Sequence, residues 1–387
     1  MPDGNDAITV KVLSGIGEVA PDQWDACAGS DNPFVCHAFL KALEDSGSVG
    51  RKTGWLPQHL ALEDKDGRLL GAVPTYLKSH SYGEYVFDHG WANAYERAGG
   101  DYYPKLQIAV PFTPVTGPRL LVRPDAPEAI ANILVAALDR LAERHEVSSV
   151  HVTFPTEQEW QRLGDAGWLQ RIGQQYHWEN RGYTSFDDFL AALNARKRKA
   201  IRKERREVAE TSVRIHTLTG ADLKPKHWDA FYRFYIDTSD RKWGSPYLNR
   251  KFFRQLGTTM ADRVVLIMAE EDGDWVAGAL NLLGSDTLYG RNWGSSVNYK
   301  HLHFEACYYR AIDFAIAHGL KRVEAGAQGQ HKIQRGYLPT PTYSAHLIRD
   351  PALRRAVARF LEQEREAVSL EIEELMEEGP YRREDGQ

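Results

Sequence analysis

Residues 287–347 read TLYGRNWGSSVNYKHLHFEACYYRAIDFAIAHGLKRVEAGAQGQHKIQRGYLPTPTYSAHL, and the succession of elements in this stretch decides the fold. An aromatic strand runs into a helix, a second strand and a loop dense in polar groups. In the helix, Phe304, Cys307, Tyr308, Ala311, Ile312 and Ala315 recur at i, i+3, i+4, i+7, i+8 and i+11, an apolar stripe that predicts packing on a sheet. Gly319 ends it. The strand LKRVEA then opens at Glu324 and Ala325 into Gly326-Ala327-Gln328-Gly329-Gln330-His331-Lys332, where two glycines let the backbone approach a ligand closely. Loops after parallel strands are where α/β proteins place their sites. His303, Glu305, Glu324, Gln328, His331, Lys332 and Arg335 carry more proton-transfer and hydrogen-bonding capacity than a connection needs, so a functional site is expected here.

Upstream, VVLIMAEEDGDWVAGALNLL predicts a hairpin turning at Asp272-Gly273, followed by a third strand whose period-two alternation puts Tyr289, Arg291 and Trp293 on one face. The first half of the chain repeats this order. HLALEDKDGRLLGAVPTYL turns at Asp66-Gly67, a stripe helix carries Ile130, Ile133, Leu134, Ala137, Leu138 and Leu141, and the strand VSSVHVTF follows. The repetition predicts an α/β (α+β) chain of two similar domains, residues 1–182 and 183–387, each a mixed sheet flanked by helices. The first domain carries an insertion, residues 80–125, whose Pro and Gly density predicts rigid turns rather than a regular element. Its Asp88, Trp91, Tyr103 and Lys105 are either a packed aromatic loop or, the reading adopted, a substrate-binding wall.

The second domain opens with SFDDFLAALNARKRKAIRKERREVAE, taken as one helix in which eight of the eleven residues from Arg196 to Arg206 are cationic. Like charges at i, i+4 destabilise a helix, so the run predicts an anionic partner, with phosphate the natural one, held by Arg196, Lys197, Arg198 and Arg202. Near the end, Asp350 caps and Pro351 starts a long charged helix reaching about Glu378, with Val357, Phe360 and Leu361 on its packing side.

Composition bounds the possibilities. A chain of 387 residues is long enough for two ordinary domains, and a net charge of −5 excludes a generally basic nucleic-acid binder. No apolar run approaches the ~18 residues of a membrane span, and the first ten residues have no signal-peptide character, so a cytoplasmic protein is expected. Cys27, Cys36 and Cys307 are too scattered for a disulfide framework or a zinc site.

Strand, helices, strand meander, stripe helix, strand, then a further helix and strand is an order that resembles the GNAT acyltransferase fold, here in tandem. GRNWG, LHFEACYY, GLKRVEAGAQGQHKIQRGYLP and PFTPVTGPR resemble the FemAB-like bacterial proteins of peptidoglycan biosynthesis or recognition, over about residues 8 to 365. The resemblance implies transfer of an acyl or aminoacyl group to an amine of a peptide or peptidoglycan-type acceptor, and a basic helix that helps hold the acceptor's phosphates. The donor it implies is an acyl-CoA or acyl-carrier-protein thioester, with aminoacyl-tRNA transfer and non-catalytic binding of a peptidoglycan precursor as alternatives. The chain has no pair of long helices like the Fem coiled-coil arm, and it reads GSSVNYKHL where a GNAT phosphate loop would stand.

Acyl transfer to an amine of pKa near 10 needs a base and donors for the oxyanion. Glu305, Glu324 and His331 are the candidate bases. Arg291, Trp293, His303, Gln328, Lys332 and Arg335 are the expected substrate-binding wall. The absence of a G-x-S-x-G elbow favours direct attack by the amine over a covalent enzyme intermediate. His301, His303 and His331 lack a carboxylate partner at ligand spacing, so no metal is expected, and DNA is not an expected partner.

Overall fold

In a computed structural model that describes residues 8–241, 244–327 and 329–382, the chain forms two compact units. One comprises Met1–Gly173 and Thr342–Ser369, the other Gln174–Pro341 and Leu370–Gln387. The division expected from the sequence, at 182/183, instead gave residues 342–369 to the second domain.

The first unit runs β1 (Thr9–Leu13), α1 (Pro21–Ala28), α2 (His37–Asp45), β2 (Trp55–Pro57), β3 (His59–Glu63), β4 (Leu69–Val73), β5 (Thr75–Lys78), α3 (His89–Arg97), β6 (Lys105–Ile108), β7 (Leu121–Val122), α4 (Ala129–Arg144), β8 (Ser149–Thr153) and α5 (Glu157–Asp165), entering β9 (Leu169–Glu179). A four-stranded sheet has the order β1-β3-β4-β7. In a second run β2, β5, β6 and β8 are neighbours, with β6 parallel to β8 and residues 344–348 antiparallel to it. The stripe of α4 is buried as expected, with Ile130, Leu134, Ala137, Leu138 and Leu141 in a core shared with Leu60, Val73 and Val150. Each of the isoleucine and leucine side chains contributes about 1.5–3 kcal/mol by leaving water. The insertion is more regular than its Pro and Gly content predicts. It holds α3, whose Trp91 and Ala92 are buried, and the wholly buried strand β6.

A cross-strand pair, His151 and His346, lies in this unit in direct register. Their Nδ1 atoms are 2.7 Å apart, so one neutral ring donates to the other, while Ser149 and Ser344 hydroxyls satisfy the outer nitrogens. Burial holds His151 down to about 3 and His346 well below the ordinary histidine value. Because the unfolded chain protonates first, near pH 6.5, the stability these neutral rings carry is complete above that value. It is lost as pH falls from there towards the folded value. Unfolding free energy should drop between pH 7 and pH 5 by about 1.4 kcal/mol per pH unit for each histidine below pH 6.5. Denaturant melts at the two pH values test this, and equal midpoints would contradict it.

The second unit takes the rest of β9 and then α6 (Phe186–Ala192), α7 (Ala195–Ala209), β10 (Arg214–Thr219), α8 (Pro225–Arg241), α9 (Arg250–Thr259), β11 (Val264–Glu271), β12 (Asp274–Leu283), β13 (Thr287–Ser295), helix α10, β14 (Arg322–Glu324) and the start of β15 (Leu338–Ile348). Helix α10 begins as Leu302–Phe304, passes through a π turn, Glu305–Tyr309, and continues as Arg310–Ala317. Its strands follow the order β10-β11-β12-β13-β14-β9. The basic segment is two helices, not one. Leu193 is extended and the Asn194 side chain caps α7 by accepting from the Lys197 N–H, which breaks the run. The final helix, α11 (Pro351–Glu377), is capped by Asp350, whose carboxylate accepts from the Leu353 N–H at 2.7 Å. Leu353, Val357 and Leu361 form its buried stripe, and Phe360, at the edge of the same face with its ring 6.4 Å from that of Trp91, is exposed. Among the described residues no helix is long and apolar enough to cross a membrane.

Candidate active site

Strands β13 and β14 run parallel for only three pairs, from Thr287 opposite Arg322 to Tyr289 opposite Glu324. Beyond that point β13 continues to Ser295, while the chain after Glu324 stays with β9: the Ala325 N–H donates to the Tyr176 carbonyl, and the Tyr176 N–H to that of Gly326. The strands therefore part and leave a notch at the carboxyl end of β14, where an α/β sheet receives ligands. A β-bulge adds to the irregularity. Leu280 faces Asn292 and Asn281 faces Gly290, so Arg291 is the extra residue. The bulge ends strict alternation, and the expected single face for Tyr289, Arg291 and Trp293 does not carry through: Tyr289 is buried and the other two are half-buried.

Beside the notch, rings gather. His303 lies 5.3 Å from Trp293 and 5.3 Å from Tyr308, and His331 lies 5.5 Å from Phe304 and 6.3 Å from His303 between ring centroids. The Tyr308 hydroxyl meets His331 Nε2 at 3.1 Å. The π turn explains why one helix turn supplies so much of this. It adds a residue to the turn and shifts the helix face, so Glu305, Ala306 and Tyr309 are buried along with the predicted stripe, and Phe304 and Cys307 are only half-buried.

The loop after β14 is held from within. Lys332, buried, donates from Nζ to the carbonyls of Ala325 and Gly326. Arg335 lies over the Phe304 ring, 3.4 Å from its centroid, donates to the His331 carbonyl at 2.8 Å, and pairs with Glu204 of α7 at 2.9 Å. Glu204 also accepts from the Tyr309 hydroxyl. Partial burial and the cations of Arg335 and Lys332 hold His331 below the ordinary histidine value, so it is neutral near pH 7. Burial raises Tyr308, which stays a protonated phenol. Glu324, 4% exposed, ends β14 with His177 Nε2 at 3.9 Å. Burial, with Arg322 and Lys332, holds His177 down to about 3, so a neutral ring adjoins that carboxylate.

The other candidates are distributed as follows. Glu305 lies on the α7 side of its helix, 3% exposed, between Arg205 at 3.1 Å and Arg310 at 2.9 Å, with Arg205 also bound to Asp313. The two guanidiniums bind its carboxylate, and that of Arg205 ties this helix to α7. Gln328 lies outside the described residues. On α7, Arg202 pairs with Asp187 and Arg198 donates to the Leu193 carbonyl. Arg196, Lys197 and Lys199 have no ion pair among the described residues. Burial and the charges of Arg196 and Arg335 lower Lys197, which places this end of α7 within electrostatic reach of the loop.

Asp88, Trp91, Tyr103 and Lys105 belong to the first unit, and three of them are turned inward. Lys105, wholly buried, donates to Ser81 at 2.7 Å, to Glu84 at 2.7 Å and to Asp88. Tyr102 donates to Asp88, Tyr103 pairs with Ser81, and Trp91 packs edge-on against His346. Burial, which would raise Asp88, is outweighed by the Lys105 ammonium, and its carboxyl stays well below the usual range. Lys105→Met should cost about 3–5 kcal/mol of stability by removing the lysine partner of the buried Asp88 carboxylate, Glu84 keeping Lys78 at 3.6 Å. A chemical melt measures this, and an unchanged midpoint would point back to a ligand-facing role.

Tyr308, Phe304 and Glu204 were not among the expected site residues. Periodicity marks Tyr308 and Phe304 only as apolar stripe positions, and the cations around Glu204 hide it. Among the described residues no group of three His, Cys, Asp or Glu side chains could hold a metal ion.

A family profile described as FemAB-like, peptidoglycan biosynthesis/recognition, matches residues 15–383. No curated protein matches the sequence at a significant level. Among solved structures, FemX superposes with a TM-score of 0.57 at 11% identity, covering 88% of this chain and 98% of that one. The C-terminal domain of a putative lysylphosphatidylglycerol synthetase from Agrobacterium fabrum gives 0.53 at 9%, over 88% and 95%. A conserved protein of unknown function from Bacteroides thetaiotaomicron gives 0.52 at 10%, over 88% and 100%. At such identities the likeness is one of fold, a mixed α/β architecture.

Proposed function

We propose, from the premise that the chain belongs to the FemAB-like family of peptidoglycan biosynthesis and recognition proteins, that it transfers an acyl group from an activated carrier to a primary amine of a peptide or peptidoglycan-type acceptor. The observation that carries this reading is the notch between β13 and β14, with Glu324 at its strand end and Trp293, His303, Tyr308 and His331 in one ring cluster beside it. The chemistry asks for a base, an oxyanion donor and a partly dry pocket. In this reading Glu324 and His331 take the first two roles, and Glu305 holds α7 through Arg205. The π turn beside them is a costly irregularity of the kind that accompanies functional sites.

The preferred donor is a thioester, acyl-CoA or an acyl carrier protein, whose phosphate would meet Arg196, Lys197 and Lys199 at the start of α7. A second reading, aminoacyl-tRNA as donor, is favoured by the same cations, because three open charges on one helix turn suit a polyphosphate backbone as well as a single phosphate. Incubating the protein with a peptidoglycan stem peptide and, in separate reactions, acetyl-CoA, longer acyl-CoAs, acyl carrier protein thioesters and charged tRNA distinguishes them. Product from one donor class alone identifies it. Saturable peptide binding with no product from any donor would leave a recognition protein.

A further inference from the structure

We infer that Tyr308 fixes the tautomer of His331, so that His331 donates from Nδ1 to the forming oxyanion and leaves proton removal to Glu324. This deepens the acyl-transfer reading and rests on it. The Tyr308 hydroxyl belongs to a residue 4% exposed, and among the described residues its one hydrogen-bond partner is His331 Nε2 at 3.1 Å. If the phenol accepted from Nε2–H, its own hydrogen would have no acceptor among the described residues, which for a buried group costs about 1–3 kcal/mol. The phenol therefore donates, Nε2 accepts, and the neutral ring carries its hydrogen on Nδ1.

The surroundings hold that geometry. Tyr308 stands in the π turn, and its carbonyl accepts from the Tyr337 hydroxyl at 3.2 Å. On the other side of the imidazole is Gly329, at φ 97°, where a Cβ would come within 2.7 Å of Nδ1 and 2.4 Å of Cε1. Only glycine lets the backbone come this close to that side of the ring, on a residue that is otherwise exposed. Partial burial, with Arg335 and Lys332, disfavours the charged ring, and a neutral imidazole is a donor that does not release its proton to the oxyanion.

The step balances without a further reactant. The acceptor nitrogen attacks the acyl carbon, a C–N bond forms, and the carbonyl π pair moves to oxygen, held by Nδ1–H. Glu324 takes the nitrogen's proton. The oxyanion then collapses, the bond to the carrier's sulfur or oxygen breaks, and the leaving group takes the proton from Glu324.

Nitrogen NMR of histidine-labelled protein reads the tautomer directly, without turnover. In the wild type, His331 should show Nδ1 protonated and Nε2 bearing the lone pair, and Tyr308→Phe should shift the ring towards the Nε2–H form that free imidazole prefers. With the donor that supports transfer, Tyr308→Phe should lower kcat about tenfold with KM little changed. His331→Asn, whose amide N–H takes the place of Nδ1–H, should retain at least tenfold more activity than His331→Ala. A wild-type Nε2–H tautomer, or a tautomer indifferent to Tyr308→Phe, overturns the inference. If the tautomer is as stated but no donor supports transfer, the acyl-transfer reading falls and the catalytic role with it, the Tyr308–His331 pairing alone standing.

Discussion

Replacing Glu324 by Gln should lower turnover by about 10²-fold or more, the loss expected when general-base assistance is removed. Folding should survive. The amide has nearly the shape of the carboxylate, Arg322 keeps its partner Glu179 at 2.6 Å, and the strand register of Glu324 with His177 and Tyr289 depends on backbone hydrogen bonds that the substitution does not touch. Removing a buried negative charge also relieves desolvation, so the unfolding midpoint should hold or rise. The ascending limb of the pH–rate profile should disappear with the carboxylate. Turnover within a factor of two of the wild type would make Glu324 scaffolding and place the base elsewhere.

Reversing the three open charges of α7, as Arg196→Glu, Lys197→Glu and Lys199→Glu together, should weaken the anionic donor by on the order of 10³, roughly tenfold or more for each charge-assisted contact. Stability should change little, because Arg196 and Lys199 are exposed and none of the three has an ion pair among the described residues to lose. Arg205 is left intact, since its bonds to Glu305 and Asp313 tie α7 to α10. If the donor is tRNA, the affinity of the wild type should fall steeply with salt, and the slope should shrink by about the number of phosphates lost. A collapsed melting temperature with unchanged affinity would make the helix structural.

How far the sequence discloses this site depends on what each residue's role requires. The two hairpins are legible because Asp66-Gly67 and Asp272-Gly273 supply the turn chemistry. The stripe helices are legible because burial on one face imposes a period. Glu324, His331 and Lys332 stand out because charged groups crowd a glycine-bearing loop after a strand. Glu305 stands out equally, yet its partners are Arg205, a hundred residues upstream, and Arg310, and pairing at that separation leaves no local signature. Tyr308 was legible only as an apolar position: periodicity counts the ring and ignores the hydroxyl. The π turn that aims it leaves the i, i+3, i+4 pattern almost intact. The bulge at Arg291 is of the same kind, one extra residue in an otherwise regular ladder. In the insertion, proline and aromatic density hid α3, whose formation is driven by burying Trp91 against His346 rather than by helix propensity.

The most direct test of the account is mass spectrometry of a stem-peptide acceptor after incubation with the purified protein and each class of activated acyl donor. Its predicted result is an acceptor heavier by one acyl or aminoacyl group, attached at a primary amine, with one donor class. An acceptor that binds saturably but emerges unmodified with every donor would contradict it.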